Sequence, residues 1–132
     1  MRNNQSLEDY LEAILMLNYE NGTVRSIDIA HALGFSKPSV SVAMKSLRAK
    51  GHITVDDQGH ITLTSTGMEI AKSVYERHEI LTKLLIYIGV DEETAKDDSC
   101  KIEHDLSEKT FEKLMKNGYE SVFFEETLYK EK

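Results

Sequence analysis

The order of short segments across residues 26–64 constrains the fold more than any other feature of this 132-residue chain. Residues 26–33 have the composition of a short helix that ends at Gly34, and Ser36 can cap the helix that follows. Two β-rich runs then flank residues 56–59, whose composition is typical of a hairpin turn. Helix, short turn, helix and hairpin, in this order, predict a winged helix-turn-helix.

Helical periodicity dominates the rest of the chain. Thr66 and Glu69 can form a capping box for a long helix after the hairpin. We therefore predict a mainly α fold, with an N-terminal winged helix-turn-helix domain over residues 1–64. An all-helical metal-binding and dimerisation domain follows over residues 65–132. Outside residues 26–64, the predicted helices cover about residues 6–20, 66–88, 91–106, 107–116 and 119–129.

Charge is distributed unevenly between the two predicted domains. The net charge is −7, and residues 65–132 hold sixteen acidic against ten basic side chains. Residues 36–51 instead carry four basic side chains and no acidic one. Such a local positive segment in an acidic protein is typical of a surface that meets a phosphate backbone. The alternative interpretation is an ordinary solvated helix face.

The second helix of a helix-turn-helix enters the major groove of DNA with its N-terminal residues at the base edges. Hydroxyl groups can donate to or accept from bases, and a proline surface can meet a thymine methyl group. Basic side chains further along the helix are better placed for phosphates. Asp56 and Asp57 make the wing a poor phosphate ligand. The predicted DNA-binding residues are Ser36, Lys37, Pro38, Ser39, Ser41, Lys45 and Arg48.

Three potential metal ligands lie close together near the end of the predicted fifth helix. If the helix includes all three, Cys100, Glu103 and His104 are at positions i, i+3 and i+4 and share one face. Thiolate, carboxylate and imidazole groups all bind transition-metal dications. Each residue also has an ordinary structural interpretation, such as a small buried thiol or a polar pair at a helix end.

Further potential ligands lie on two other helices. Asp9 and Glu12 are three residues apart, opposite the apolar face of the first helix, where a solvated acidic edge is the simpler interpretation. His78 falls within the apolar face of the long helix, where a hydrogen-bonded core histidine is more common than a ligand. The combination of these residues on helices that can converge predicts a metal site.

Four stretches of the chain resemble the diphtheria-toxin-repressor-type metalloregulators, and in particular the short manganese-transport-regulator branch without the SH3-like domain. They are residues 6–12, 77–81, 88–91 and 100–107. The resemblance implies a mixed ligand set, because Cys100 matches the iron branch whereas the manganese branch has glutamate there. Thr82 stands where the family usually has a glutamate of a second metal position. The implied ligands are Asp9, Glu12, His78, Cys100, Glu103 and His104.

The resemblance also implies a function. We expect a metal-dependent transcriptional regulator, and specifically a repressor of metal-uptake genes that binds a palindromic DNA operator as a homodimer. The metal would bridge the first helix and the dimerisation domain. Because thiolate is a soft ligand, we expect Fe(II) ahead of Mn(II), with Zn(II) and Co(II) also binding in vitro. We expect one main metal per subunit.

Other classes of protein fit the sequence less well. No apolar run approaches the roughly 18 residues that span a membrane, and the N-terminus does not have the pattern of a secretory signal. Together with the single cysteine, this predicts a cytoplasmic protein. Enzyme function is not expected, because the chain has neither a phosphate-binding glycine loop nor a nucleophile elbow. The remaining alternatives are a winged-helix regulator that senses an organic ligand or a partner protein, and one that senses redox state through Cys100.

Overall fold

The computed structural model of the protein describes residues 5–119, so residues 120–129 of the predicted last helix lie outside it. The chain divides into two compact units between Ser73 and Val74. No helix within the described residues is both long enough and apolar enough to cross a bilayer. The elements are helices α1 (Gln5–Asn21), α2 (Ser26–Leu33) and α3 (Lys37–Ala49), strands β1 (Ile53–Val55) and β2 (Ile61–Leu63), and helices α4 (Ser65–Tyr87), α5 (Glu92–Ile102) and α6 (Glu108–Lys113), followed by a π-helical segment (Leu114–Tyr119).

The first unit is the predicted winged helix-turn-helix. Helices α1, α2 and α3 pack on one another, and the hairpin packs on α1 and α3. Gly34 ends α2 in the left-handed conformation (φ 70°), which glycine adopts without a steric penalty. The Ser36 side chain accepts a hydrogen bond from the Ser39 backbone N–H at 3.3 Å and thereby caps α3. The most deeply buried side chains of this core are Leu11, Ile14, Leu15, Val24, Ile29, Val40 and Ile53.

The wing is a two-stranded antiparallel hairpin in which Ile53 pairs with Leu63. The Asp56 carboxylate accepts hydrogen bonds from the backbone N–H groups of Gln58 and His60, each at 2.9 Å. These bonds lower the pKa of Asp56, because they stabilise its charged form. Asp56 therefore organises the turn at residues 56–59, where the sequence predicted a hairpin.

The start of α4 differs from the predicted capping box. The Thr64 hydroxyl, not that of Thr66, accepts the hydrogen bond from the Gly67 backbone N–H, at 3.2 Å. Thr66 instead donates to the Gly51 carbonyl at 3.2 Å and lies 3.1 Å from Nδ1 of His52. The predicted cap was wrong because these tertiary contacts, fifteen and fourteen residues away in sequence, engage the Thr66 hydroxyl.

The second unit contains the remainder of α4, together with α5, α6 and the π-helical segment. The Asp91 side chain caps α5 by accepting a hydrogen bond from the Thr94 backbone N–H at 3.0 Å, which lowers the pKa of Asp91. Buried apolar side chains from all three helices form its core. They are Val74, Ile80, Leu81, Ala95 and Phe111.

Helix α5 ends earlier than predicted. It stops at Ile102, and residues 103–105 form a turn, so the expectation of one helix to about residue 106 was wrong. The reason is the next helix: Ser107 has extended backbone angles and accepts a hydrogen bond from the Thr110 N–H, which caps α6. The chain must leave helical geometry before that cap, and His104 consequently lies beyond the helix.

Gly67 provides a test of the packing in the first unit. A Cβ atom at this buried position would overlap the carbonyl oxygen of His52. We expect Gly67→Ala to lower the free energy of unfolding by about 1–3 kcal/mol, although alanine favours a helix by about 1 kcal/mol. Urea unfolding would measure the change, with the exposed Glu69→Ala as the matched control. Equal stability of the two variants would contradict the predicted overlap.

Candidate metal centre and nucleic-acid interface

Three predicted metal ligands meet within the second unit. His78 comes from the middle of α4, Cys100 from the last turn of α5, and Glu103 from the turn that follows α5. One potential ligand atom from each residue lies within 4.8 Å of the other two. Nδ1 of His78 is 3.0 Å from Oε2 of Glu103 and 3.7 Å from Sγ of Cys100. We call these three residues the donor cluster.

The donor cluster favours positive charge at the His78 imidazole. Hydrogen bonding to Cys100, followed by that to Glu103, raises the pKa of His78 to about 10, although partial burial acts in the opposite direction. The imidazole is mostly buried and the Glu103 side chain is 1% exposed, so water screens their interaction poorly. Surroundings that hold a proton this firmly also favour a metal cation, which would replace that proton on the ring.

Glu103 has one carboxylate oxygen without a hydrogen bond. Oε1 is buried and, within residues 5–119, has no hydrogen-bond partner. Nε2 of His104 is 3.5 Å away, which is within ion-pair range, but it does not form a hydrogen bond to Oε1. Buried polar atoms rarely lack a partner in folded proteins, and a bound ion can supply one. The orphaned oxygen and the sulfur, nitrogen and oxygen donors around it fit a divalent metal.

Thr82 lies on the same side of α4 as His78, one helical turn further on. Its buried hydroxyl donates a hydrogen bond at 2.9 Å to the hydroxyl of Ser99, which is also buried. Thr82 is thus engaged within the unit and brings no carboxylate to this region. The expectation of one main metal per subunit stays a prediction.

Asp9 and Glu12 belong to the first unit. Both are half-buried on α1, and their spacing of three residues puts them on one side of that helix. The structure therefore brings together His78, Cys100 and Glu103, with His104 beside Glu103. That Asp9 and Glu12 complete the same metal site stays a prediction.

Helix α3 exposes the predicted DNA-binding face. Val40, Met44 and Leu47 are buried in the core of the unit. Of the predicted residues, Ser36 also has a structural role, because it caps the helix and its hydroxyl donates to the Ser39 hydroxyl at 2.9 Å. The exposed predicted residues are Ser36, Lys37, Pro38, Ser39, Ser41, Lys45 and Arg48.

Val42 was missed by the sequence prediction. It is 69% exposed on α3 and lies between Ser41 and Lys45 in sequence. Its position in sequence, two residues from both buried Val40 and buried Met44, was the available signal, because helical periodicity turns it outward. An exposed apolar side chain here is suited to contact with a thymine methyl group.

Comparison with known proteins relates both regions to one family. Residues 4–61 match the profile described as the iron dependent repressor N-terminal DNA binding domain. Residues 64–117 match the profile of the iron dependent repressor metal binding and dimerisation domain. The chain belongs to the iron-dependent repressor family. The resemblance noted in the sequence is thereby confirmed.

Curated relatives in this family are transcriptional regulators. The chain is 38% identical over 122 residues to the HTH-type transcriptional regulator MntR of Bacillus pumilus, covering 92% of this chain and 83% of MntR. It is 35% identical over 112 residues to the uncharacterized HTH-type transcriptional regulator MJ0568 of Methanocaldococcus jannaschii, covering 83% of this chain and 90% of MJ0568.

A solved structure shows the same fold. The manganese regulator SloR superimposes with a TM-score of 0.72 at 27% sequence identity, over 83% of this chain. The chain spans about half of the SloR chain, since the match covers 51% of it. With both domains of the iron-dependent repressor family, this protein is a metal-dependent transcriptional regulator and not an enzyme.

The donor cluster predicts a specific loss of metal binding. Glu103→Gln preserves the side-chain volume but removes the anionic oxygens, so we expect affinity for Co(II) or Mn(II) to fall at least about tenfold. Anaerobic competition against a chromophoric chelator would measure it. Glu93→Gln, an exposed change on α5, is the matched control. Unchanged affinity in Glu103→Gln would remove Glu103 from the metal site.

Proposed function

We propose that this protein is a metal-gated repressor of metal-uptake genes, active as a homodimer on a palindromic DNA operator in the cytoplasm. The observation that carries the proposal is the donor cluster, in which a buried Glu103 oxygen lacks a hydrogen bond within the described residues. The family match to DNA-binding and dimerisation domains supports the choice of partners. The proposed metal ligands are Asp9, Glu12, His78, Cys100, Glu103 and His104.

The proposed metal is Fe(II) or Mn(II). Sulfur from Cys100 favours Fe(II), because thiolate is softer than carboxylate. Relatives named as manganese regulators, such as SloR, instead support Mn(II). Zn(II) and Co(II) are expected to bind in vitro as well, since Zn(II) and Co(II) follow Mn(II) and Fe(II) in the usual order of rising affinity.

The proposed mechanism couples two groups of donors. Asp9 and Glu12 belong to the unit that contains the DNA-reading helix α3, and the donor cluster belongs to the other unit. A dication held by these residues would supply the positive charge that lets all these donors share one position. Residues of both units would then be held in one arrangement, and in a homodimer this would fix the separation of the two α3 helices. Palindromic half-sites require such a fixed separation.

The DNA contacts are proposed to be of two kinds. Ser39, Ser41 and Val42 lie in the N-terminal half of α3 and are exposed, which suits base edges and thymine methyl groups. Lys45 and Arg48 lie further along the helix and suit phosphates. The acidic wing residues Asp56 and Asp57 are expected to contribute little to DNA affinity.

Selection of DNA fragments tests the function directly. Sheared genomic DNA would be captured anaerobically on the homodimer in parallel samples with chelator, Fe(II), Mn(II) or Zn(II). We expect palindromic fragments to be enriched only with metal, and the metal that acts at the lowest free concentration identifies the effector. Equal enrichment in chelator would reject metal gating and favour a regulator of the same fold that senses another signal.

Glu12 tests the coupling between the two groups of donors. We expect Glu12→Gln to fold and dimerise normally but to lose the metal-dependent gain in DNA affinity, for which a usual allosteric size is about 5–150-fold. Fluorescence anisotropy with a selected fragment, with and without Mn(II), would measure it. Glu20→Gln, an exposed change near the end of α1, is the control. A wild-type metal response in Glu12→Gln would show that α1 does not take part in coupling.

Lys45 and Arg48 test the phosphate contacts. We expect Lys45→Ala and Arg48→Ala each to weaken binding to all fragments about equally. Each should also reduce the slope of log affinity against log salt concentration by about 1. Anisotropy titrations over a salt series would determine the slopes, with the exposed Lys72→Ala on α4 as control. Slopes that match the control would place these side chains away from the DNA backbone.

A further inference from the structure

Arg77 precedes His78 on α4 and is almost fully buried, with 8% of its surface exposed. Its Nη1 donates a hydrogen bond to the backbone carbonyl oxygen of Glu103 at 3.2 Å. Its Nη2 pairs with Oε1 of Glu108 at 2.6 Å. The guanidinium carbon also lies 4.8 Å from the centre of the Phe111 ring, a cation–π distance. One side chain thus joins α4, the turn after α5, and α6.

The carbonyl that Arg77 holds is one that helix geometry leaves unpaired. Carbonyl groups in and just after the last turn of a helix lack an intrahelical partner, and α5 ends at Ile102. The Glu103 backbone N–H still bonds to the Ser99 carbonyl at 3.0 Å. Arg77 binds the carbonyl group of the same residue. Both backbone polar groups of Glu103 are therefore hydrogen-bonded while its carboxylate faces His78.

The arrangement is costly for a purely structural arginine. A buried guanidinium pays a large desolvation penalty, and Nε of Arg77 is buried without a hydrogen-bond partner within the described residues. Glu108 supplies the counter-charge from an exposed position, since its side chain is 77% exposed. Each terminal nitrogen of the guanidinium donates one hydrogen bond, Nη1 to the Glu103 turn and Nη2 to α6.

We propose that Arg77 is a positioning residue of the metal centre, held by Glu108 and orienting Glu103 through its backbone. The inference rests on the proposed function, because it assumes that Glu103 binds metal. It adds two residues that are not ligands, and it connects α6 to the metal site. Partners of this kind orient a ligand, and their loss typically reduces metal affinity by about 10–100-fold.

Glu108→Gln is the sharpest test, because the exposed Glu108 side chain is not a proposed ligand. We expect it to lower the affinity for Co(II) about tenfold in an anaerobic chelator competition. Glu112→Gln, at an exposed position four residues further along the chain, is the matched control and should bind like wild type. Arg77→Lys keeps the charge but not the forked geometry, and should also weaken binding.

Two further readouts separate positioning from general destabilisation. In the metal-free protein, the imidazole ¹⁵N signals of His78 should shift in Glu108→Gln but not in Glu112→Gln, because the His78–Glu103 contact at 3.0 Å changes. The combined Arg77→Lys and Glu108→Gln protein should lose clearly less affinity for Co(II) than the sum of the two single losses. Both substitutions disrupt the same Arg77–Glu108 ion pair, so their effects are not independent.

The outcomes separate the two proposals. If wild type binds Co(II) and Glu108→Gln binds equally well, the positioning role is overturned and the proposed function stands. Fully additive losses of affinity in the double variant would also overturn the positioning role, and the proposed function would stand. If wild type does not bind Co(II), Mn(II) or Fe(II), the metal-gated function fails and the positioning role fails with it.

Discussion

The contact between the Glu103 carboxylate and the His78 imidazole, at 3.0 Å in a mostly buried setting, is the constraint on which the candidate site depends. A carboxylate that is 1% exposed cannot rely on water for its solvation. His78 compensates one oxygen, and the second is left without a hydrogen bond among the described residues. The incomplete compensation makes this position suited to a cation, and Cys100 adds a third donor.

The surrounding structure serves to hold that carboxylate at its position. The Ser107 cap ends α5 early, so Glu103 lies in a turn rather than in a regular helix. The Arg77 guanidinium contacts this turn from α4, through its hydrogen bond to the Glu103 carbonyl. The candidate metal centre is therefore more than a face of one helix. It is a junction between α4 and the turn between α5 and α6.

Local sequence signals were sufficient to predict most of the fold. Gly34 ends α2, Ser36 caps α3, and Asp56 organises the turn of the wing. Helix caps and turns depend on residues only a few positions apart, so they can be read from the local sequence. The end of α5 was not predicted, since periodicity alone does not show where the cap of the next helix interrupts it. The Thr66 cap failed for a different reason, because contacts with Gly51 and His52 are distant in sequence.

The candidate site was predicted in part. The residue types and spacing indicated a metal site, and family resemblance supplied the ligand set, but neither indicated Arg77. Its role depends on a contact with Glu103, twenty-six residues away, and another with Glu108, thirty-one residues away. Such pairs appear only once the helices are packed. Val42, by contrast, could have been predicted from the sequence, because helical periodicity alone places its side chain on the outside of α3.

Sulfur ligation by Cys100 gives the most direct test of the proposed metal centre. Anaerobic titration of Co(II) into wild type and Cys100→Ser, followed by absorption spectroscopy, probes the donor cluster itself. We expect a sulfur-to-cobalt charge-transfer band in wild type that saturates at one metal per subunit and is absent in Cys100→Ser. Identical spectra for the two proteins would contradict sulfur ligation, and with it the proposed metal centre.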